Sequence, residues 1–166
     1  HRGKKFEFGH GYSLFTCLLK PHSKGSVKLK IEGDKLKLLI DHNFLSDVRD
    51  EANIVEAIKK AREVLSSEEF YEVRGEEIAP GKSIQSDEEL LNYIRKTALT
   101  VYHPVGTCKM GVDELAVVSP HNLKVKGMRN LRVIDASIMP NIVSGNTSAP
   151  TMMIAEKGAR MILDNK

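Results

Sequence analysis

A histidine lies in a segment whose other residues shape the backbone around it. Residues 101–111 are VYHPVGTCKMG, so His103 is followed by Pro104 and, two residues later, by Gly106. Histidine changes its charge near neutral pH and therefore serves as a general acid or base, and the proline favours an extended backbone at His103. Because most single histidines are structural, the spacing alone makes His103 a candidate base and nothing more.

The residues of this segment do not fit two other kinds of site, a phosphate-binding loop and a zinc site. A phosphate-binding loop needs Lys and Ser or Thr directly after its last glycine, whereas Val112 follows Gly111. A zinc site needs further ligands, and His103 and Cys108 have none at a standard spacing. The sequence therefore predicts no metal site. Cys108 and the other cysteine, Cys17, are interpreted as free buried thiols, although a disulfide between them stays open.

Asp135, Ala136 and Ser137 follow an apolar run that begins at Leu131. This pattern is typical of a strand that ends beside a polar ligand. An ordinary Asp turn after a strand explains the pattern equally well, because Asp readily bonds its own backbone two residues on. The sequence leaves both interpretations open.

A small polar loop at residues 143–150 leads into the last predicted helix. A helix N-terminus presents free N–H groups and partial positive charge, so it is a favourable place for an anion. The same loop holds the sequence's one glycosylation sequon, Asn146-Thr147-Ser148. A glycan on Asn146 and a buried functional Asn146 exclude each other.

Periodicity predicts the elements that position these segments. Apolar residues alternate on both sides of a turn at residues 32–34, which predicts a hairpin with a half-buried strand face and a solvated one. Apolar spacing also predicts three helices. Their predicted starts are Ser46-Asp47, Ser86 with Glu89 completing a capping box, and Ser148 as N-cap with Pro150 in the first turn.

Short β-type runs at residues 117–118, 123–125 and 131–134 predict further strands. Strands and helices mix without β-α-β alternation, so the predicted fold class is α+β, with an antiparallel or mixed sheet and helices packed on it. The sequence pattern changes at residue 100, from helix-type spacing to short β-type runs. We therefore expect two parts, residues 1–100 and residues 101–166.

Composition narrows the classes of function. The chain has 166 residues, 41% of them hydrophobic, which suits one folded domain. No apolar stretch approaches the ~20 residues of a membrane span. A net charge of +3, 5% aromatic residues and the absence of Trp argue against a nucleic-acid partner. The lysine-rich first 40 residues leave a polyanion-binding domain as a minor alternative.

Several motifs occur together in a fixed order. They are His103-Pro104-x-Gly106-Thr107, Leu131-Arg132-Val133-x-Asp135-Ala136-Ser137 and Asn146-x4-Thr151-x2-Ile154-Ala155-Glu156. In this order they resemble the C-terminal part of the glucose–methanol–choline (GMC) flavoprotein oxidoreductases. Residues 21–29 and 40–47 are similar to two upstream segments of that family, with Phe44 in a Tyr position. Residues 136–147 look most like the insect glucose-dehydrogenase branch. This likeness favours a secreted protein, whereas the N-terminal residues give no information on localisation.

The resemblance implies an activity and roles for these residues. An alcohol (a sugar, a choline-like compound or a sterol) passes a hydride to FAD, and oxygen or a quinone accepts the electrons afterwards. His103 is then the base for the alcohol proton. Asn146 stands where the family has a second His or an Asn, and it orients the substrate oxygen because an amide does not titrate. The residues implied to contact the cofactor are Asp135, Ala136, Thr147 and Ser148.

One departure from the family pattern limits what this chain does alone. The family binds FAD through a Gly-x-Gly-x-x-Gly turn near its N-terminus, and this sequence has no such turn. We therefore expect the chain to hold FAD weakly or not at all, and to need the N-terminal FAD-binding half as a partner. Residues 1–100 correspond to a substrate-side lobe and residues 101–166 to a FAD-contacting return segment. The alternative is an isolated non-catalytic lobe or degenerate copy.

Overall fold

A computed structural model describes residues 9–164 of the chain. These residues form one antiparallel hairpin, three α-helices and two short 3-10 turns, which confirms the predicted α+β class. The elements are β1 (Ser26–Glu32), β2 (Lys35–Asp41), α1 (Val48–Leu65), α2 (Asp87–Thr97) and α3 (Ser148–Asp164), with 3-10 turns at Glu68–Phe70 and Ala136–Ile138.

The predicted hairpin is confirmed with its turn. β1 and β2 pair in register from Ser26 opposite Asp41 to Glu32 opposite Lys35. Gly33 closes the turn with φ of 59°, a left-handed conformation that glycine adopts at little cost. At the other end of the hairpin, a Cβ on Gly25 would overlap the carbonyl oxygen of Asp41. The backbones of these two residues are therefore in direct contact, which only a glycine at position 25 allows.

One face of the hairpin is entirely apolar and exposed. Residues opposite each other in the ladder share a face, and the register places six apolar side chains together. Their exposed fractions run from 47% to 77%. The prediction of a half-buried face is therefore wrong for this chain, because nothing among residues 9–164 covers these side chains. This apolar hairpin face consists of Val27, Leu29, Ile31, Leu36, Leu38 and Ile40.

Residues 9–18 and 44–100 form one compact unit. Its core unites α1 and α2 through Ile54, Val55, Leu90 and Ile94. α2 ends at Thr97, so Ala98 lies beyond the helix and is exposed, whereas Leu90 is fully buried.

The predicted starts of α1 and α2 are confirmed by their capping contacts. The Asp47 carboxylate accepts a hydrogen bond from the Arg49 N–H at 2.9 Å. Ser86 and Glu89 form both hydrogen bonds of a capping box. These local contacts satisfy N–H groups that have no partner inside a helix.

A half-buried arginine orders the polar loop between α1 and α2. The Arg62 guanidinium donates to the Glu77 carboxylate, with Nη2 2.8 Å from Oε1. The same Nη2 donates to the carbonyl oxygens of Gly81 at 3.3 Å and Ile84 at 2.8 Å. One side chain on α1 therefore fixes a loop that has no regular structure of its own.

Residues 19–43 and 101–164 form a second compact unit. Its core consists of Val118, Leu123, Ile138, Met139 and Ile154. The hairpin belongs to this unit: the Lys24 ammonium donates to the Asn141 side chain at 2.9 Å. The division of the chain by role at residue 100 stays a prediction.

The strands expected after residue 100 are absent from the described part of the chain. Isolated bridges take their place, and they join Met110 with Val118, Val118 with Val125, and Lys124 with Arg132. The cause is local, because Leu123 and Asn130 have φ of 57° and 55°, which interrupts an extended backbone.

α3 starts one residue earlier than predicted and packs closely against Ile134. Its first helical residue is Ser148, so the cap position belongs to Thr147 and not, as predicted, to Ser148. A Cβ on Gly158 would come within 2.5 Å of Ile134 Cγ2, so this glycine allows the helix to lie directly on that side chain. Within residues 9–164, no helix combines the length and the apolar character that crossing a membrane requires.

Candidate active site

The three segments that the sequence marks as chemically interesting meet in the second unit. The backbone N–H groups of Gly106 and Cys108 both donate to the carbonyl oxygen of Ser137 at 3.1 Å. Two residues on, the Met110 N–H donates to the Ile138 carbonyl oxygen at 2.7 Å. Ile138 and Ile154 of α3 lie in one buried cluster. The histidine segment, the turn after residue 135 and α3 therefore form one structural group.

His103 is half-buried and its ring is bound to the start of α3. Its Nδ1 lies 3.1 Å from the hydroxyl oxygen of Thr147, a residue 44 positions later. The preceding residue, Tyr102, has φ of 64°, a conformation uncommon outside glycine. Backbone strain of this kind occurs often at functional sites, and here it falls directly before the candidate base.

Thr147 is held firmly in place. It is 8% exposed, and its carbonyl oxygen accepts hydrogen bonds from the Thr151 N–H at 3.0 Å and from the Thr151 hydroxyl at 2.6 Å. A β-branched side chain has few χ1 rotamers. The hydroxyl that meets His103 therefore has a defined position.

Asn146 and Ser148 flank Thr147 and are both exposed. A buried Asn146 is thus not what the chain shows, and burial within this chain does not exclude a glycan there. The structure describes no hydrogen bond between the Asn146 side chain and His103. A Cβ on the adjoining Gly145 would have no neighbour within 4 Å, so the backbone of this loop is open to approach.

Asp135 forms the Asp turn that was one of the two interpretations of its segment. Its carboxylate accepts hydrogen bonds from the Ser137 N–H at 2.8 Å and from the Ser137 hydroxyl. Ala136 is half-buried and packs against the second unit's core. Their contact with a cofactor stays a prediction.

A salt bridge stabilises the loop that follows the histidine segment. The Lys109 ammonium lies 2.9 Å from an Asp113 carboxylate oxygen, and this hydrogen bond is the main cause that lowers the pKa of Asp113 below its ordinary value. Lys126 donates to the Asp113 carbonyl oxygen at 2.9 Å. These contacts hold the loop, and neither cation lies in a described contact with His103.

The described residues offer no group of three or more His, Cys, Asp or Glu side chains that would hold a metal ion. Both cysteines are free. Cys17 is exposed, contrary to the expectation of a buried thiol, whereas Cys108 is half-buried against the second unit's core.

The side chain of Thr147 was not predicted as the partner of His103. Thr147 was expected only to contact the cofactor. A partial signal was present in Pro150, which takes the third position of α3 and so removes one of the two N–H groups that a capping hydroxyl commonly binds. With only the Ala149 N–H left to compete, the Thr147 hydroxyl more readily takes another partner.

Comparison with known proteins identifies the class. The family described as GMC oxidoreductase matches residues 21–155. A bacterial relative, the alcohol dehydrogenase [acceptor] of Pseudomonas putida, is 47% identical over 161 residues, which are 97% of this chain and 29% of the relative. The oxygen-dependent choline dehydrogenase of Staphylococcus epidermidis is 43% identical over 166 residues, 99% of this chain and again 29% of the relative. The chain therefore belongs to the GMC oxidoreductase family.

Solved structures show the same fold. A pyridoxine 4-oxidase from Mesorbium loti matches 86% of this chain with a TM-score of 0.78 and 38% identity, and the match covers 28% of that protein. A fungal aryl-alcohol oxidase matches 89% of this chain with a TM-score of 0.80 and 32% identity, covering 24% of that protein. The chain thus spans less than a third of the length of these relatives. The narrower likeness to the insect branch stays a prediction.

Proposed function

We propose that the chain is the C-terminal portion of a longer FAD-dependent oxidoreductase, called the full-length protein below, that oxidises CH–OH groups. The observation that carries this proposal is the half-buried His103, bound through Nδ1 to Thr147 at the start of α3. It supports the proposal because the chain belongs to the GMC family and its relatives include dehydrogenases of alcohols and of choline.

The proposed mechanism assigns proton transfer to His103. With Nδ1 bound to Thr147, Nε2 is the ring nitrogen available to take the hydroxyl proton of the alcohol. Asn146, exposed and next to Thr147, orients the alcohol oxygen by hydrogen bonding. Removing the proton increases electron density on that oxygen and so favours departure of a hydride from its carbon.

The residues present fit one end of FAD. The first N–H groups of α3, around Thr147 and Ser148, have no partner inside the helix and favour negative charge beside them. Ser148 is exposed and Gly145 has open space, which leaves room for a flat ring. We assign these residues, with the backbone at Asp135 and Ala136, to holding the flavin end. When bound, FAD supplies the hydride acceptor.

The nucleotide end of FAD requires another part of the polypeptide. This sequence has no Gly-x-Gly-x-x-Gly turn. An N-terminal FAD-binding half is therefore the proposed partner, and the chain alone is inactive. The exposed apolar hairpin face supports a missing partner, because its side chains are 47% to 77% exposed and contact of apolar surface with water is unfavourable.

The substrate is proposed as an alcohol, with sugars, choline-like compounds and sterols as candidates. The names of the relatives add aryl alcohols and pyridoxine to the compounds worth testing. Either oxygen or a quinone is the proposed electron acceptor.

One observation favours a second candidate, a non-catalytic lobe or degenerate copy. The missing dinucleotide turn leaves this chain without the usual means to hold FAD. The FAD content of the purified full-length protein distinguishes the two candidates. Bound FAD favours the oxidoreductase, because a degenerate copy does not retain the cofactor.

The experiment is stopped-flow reduction of the bound flavin in the full-length protein, with the alcohol from the panel above that reduces it fastest. We expect His103→Gln to keep bound FAD and to slow reduction by roughly 10²–10⁴, the usual effect of losing a general base. His121→Gln is the matched control, since His121 is an exposed histidine of the same unit. A His103→Gln rate within tenfold of wild type rejects His103 as the base.

A further inference from the structure

The three helices of the chain use their capping side chains differently. The Asp47 carboxylate accepts from the Arg49 N–H, the second residue of α1. The Ser86 hydroxyl accepts from the Glu89 N–H, the third residue of α2. At the start of α3, Thr147 has the same position, yet its hydroxyl lies against His103 Nδ1 at 3.1 Å.

Pro150 contributes to this difference. It is the third residue of α3, and a proline has no N–H to donate to a capping side chain. Ala149, the second residue, keeps its N–H, but the structure describes no hydrogen bond from it to the Thr147 hydroxyl. The helix still begins correctly, because the Thr147 carbonyl accepts the N–H and the hydroxyl of Thr151. The Thr147 hydroxyl is therefore available to a residue outside the helix.

A hydroxyl at this position constrains the imidazole. A neutral imidazole carries its proton on one ring nitrogen, and a hydroxyl either accepts from Nδ1–H or donates to a bare Nδ1. Only the first arrangement leaves the lone pair on Nε2, where the proposed base requires it. After Nε2 gains a proton, Nδ1–H still donates to the same oxygen, so no rearrangement is needed.

We propose that the Thr147 hydroxyl, which contacts His103 and not the first turn of α3, holds His103 in the tautomer with the proton on Nδ1 and the lone pair on Nε2. Thr147 is then a positioning residue: it acts through His103 and does not touch the alcohol with its side chain. This inference rests on the proposed function, in which His103 is the base. It is distinct from the role of the Thr147 backbone N–H toward the cofactor.

The test uses three variants of the full-length protein. Thr147→Val keeps the shape and the backbone N–H but removes the hydroxyl, and Thr147→Ser restores a hydroxyl. Thr107→Val is the matched control, because Thr107 is an exposed threonine in the histidine segment. The readouts are the ¹⁵N shifts of the His103 ring, assigned with His103→Gln, and stopped-flow flavin reduction.

We expect wild type, Thr147→Ser and Thr107→Val to show a protonated Nδ1 and a bare Nε2. Thr147→Val should show a mixture of tautomers, and its flavin should be reduced about 2- to 12-fold more slowly, the effect of one lost hydrogen bond. Bound FAD should be unchanged.

An unchanged tautomer and rate in Thr147→Val, with His103→Gln inactive, would overturn this inference and leave the proposed function intact. Loss of FAD from Thr147→Val in proportion to its activity would also overturn it, because the side chain would then serve cofactor binding. A normal rate in His103→Gln would instead remove the proposed function, and the ring shifts would still report whether Thr147 sets the tautomer.

Discussion

α2 and α3 begin with the same kind of side chain and use it for different ends. Ser86 and Glu89 satisfy each other and the backbone at the start of α2, so that the helix end is complete within four residues. At α3, the Thr147 hydroxyl contacts His103, which lies 44 residues earlier in the chain. The comparison shows that a hydroxyl at a helix start either caps its own helix or joins distant segments, and a proline at the third position of α3 removes one of the two N–H groups that compete for that hydroxyl.

The first way to test this difference is to remove the cap of α2. We expect Ser86→Ala to lower the free energy of unfolding by about 1 kcal/mol, within the usual range of ~0.5–2 kcal/mol for a lost N-cap. Thr147→Ser should change it by much less, because a hydroxyl remains and α3 does not depend on it. Urea unfolding followed by far-UV circular dichroism measures both. An unchanged free energy of unfolding in Ser86→Ala would show that the Ser86 hydroxyl does not stabilise α2.

Local signals were sufficient to predict the elements of the first unit. The Ser86-Glu89 pair and the apolar stripe of α1 lie within a few residues of the contacts they determine. The hairpin was also predictable from alternation around Gly33. The exposure of its apolar face was not, because alternation shows which residues share a face and not whether another element covers that face.

The sequence named candidate residues for the site, whose roles stay predictions, but it did not reveal how these residues contact one another. The family motifs pointed to His103 and to the loop before α3. The hydrogen bond between His103 and Thr147 joins residues far apart in sequence, and no periodicity reports such a pair. The expected strands after residue 100 failed for a related reason, since the left-handed backbone at Leu123 and Asn130 is not encoded by glycine.

A second way to sharpen the comparison is to give α3 the N–H that it lacks. Pro150→Ala supplies a donor at the third helical position, which competes with His103 for the Thr147 hydroxyl. We expect flavin reduction to slow by up to about 12-fold, the upper end of the effect of one lost hydrogen bond, without a loss of bound FAD. The rate is measured in the full-length protein by stopped flow, with Pro120→Ala as a proline control in the same unit. A normal rate for Pro150→Ala would contradict the explanation by competition.

The smallest expected effect concerns the pH dependence of α2. The backbone N–H groups of Ser86 and Gln85 and the Ser86 hydroxyl all donate to the Glu89 carboxylate, and these bonds lower the pKa of Glu89 below its ordinary value of 4.5. A carboxylate whose pKa is lower in the folded state stabilises that state above its unfolded pKa. This contribution is lost as the pH falls below 4.5 through the folded value.

Glu89→Gln removes this charge while keeping an amide oxygen that accepts the same hydrogen bonds. We therefore expect wild type to be slightly more stable than Glu89→Gln above pH 4.5, and the two to converge as the pH falls below it. Urea midpoints from circular dichroism at a series of pH values measure the difference. Glu88→Gln is the control, because it removes an adjoining charge without touching the capping box. A difference that stays constant at all pH values would mean that the carboxylate charge does not contribute to the cap of α2.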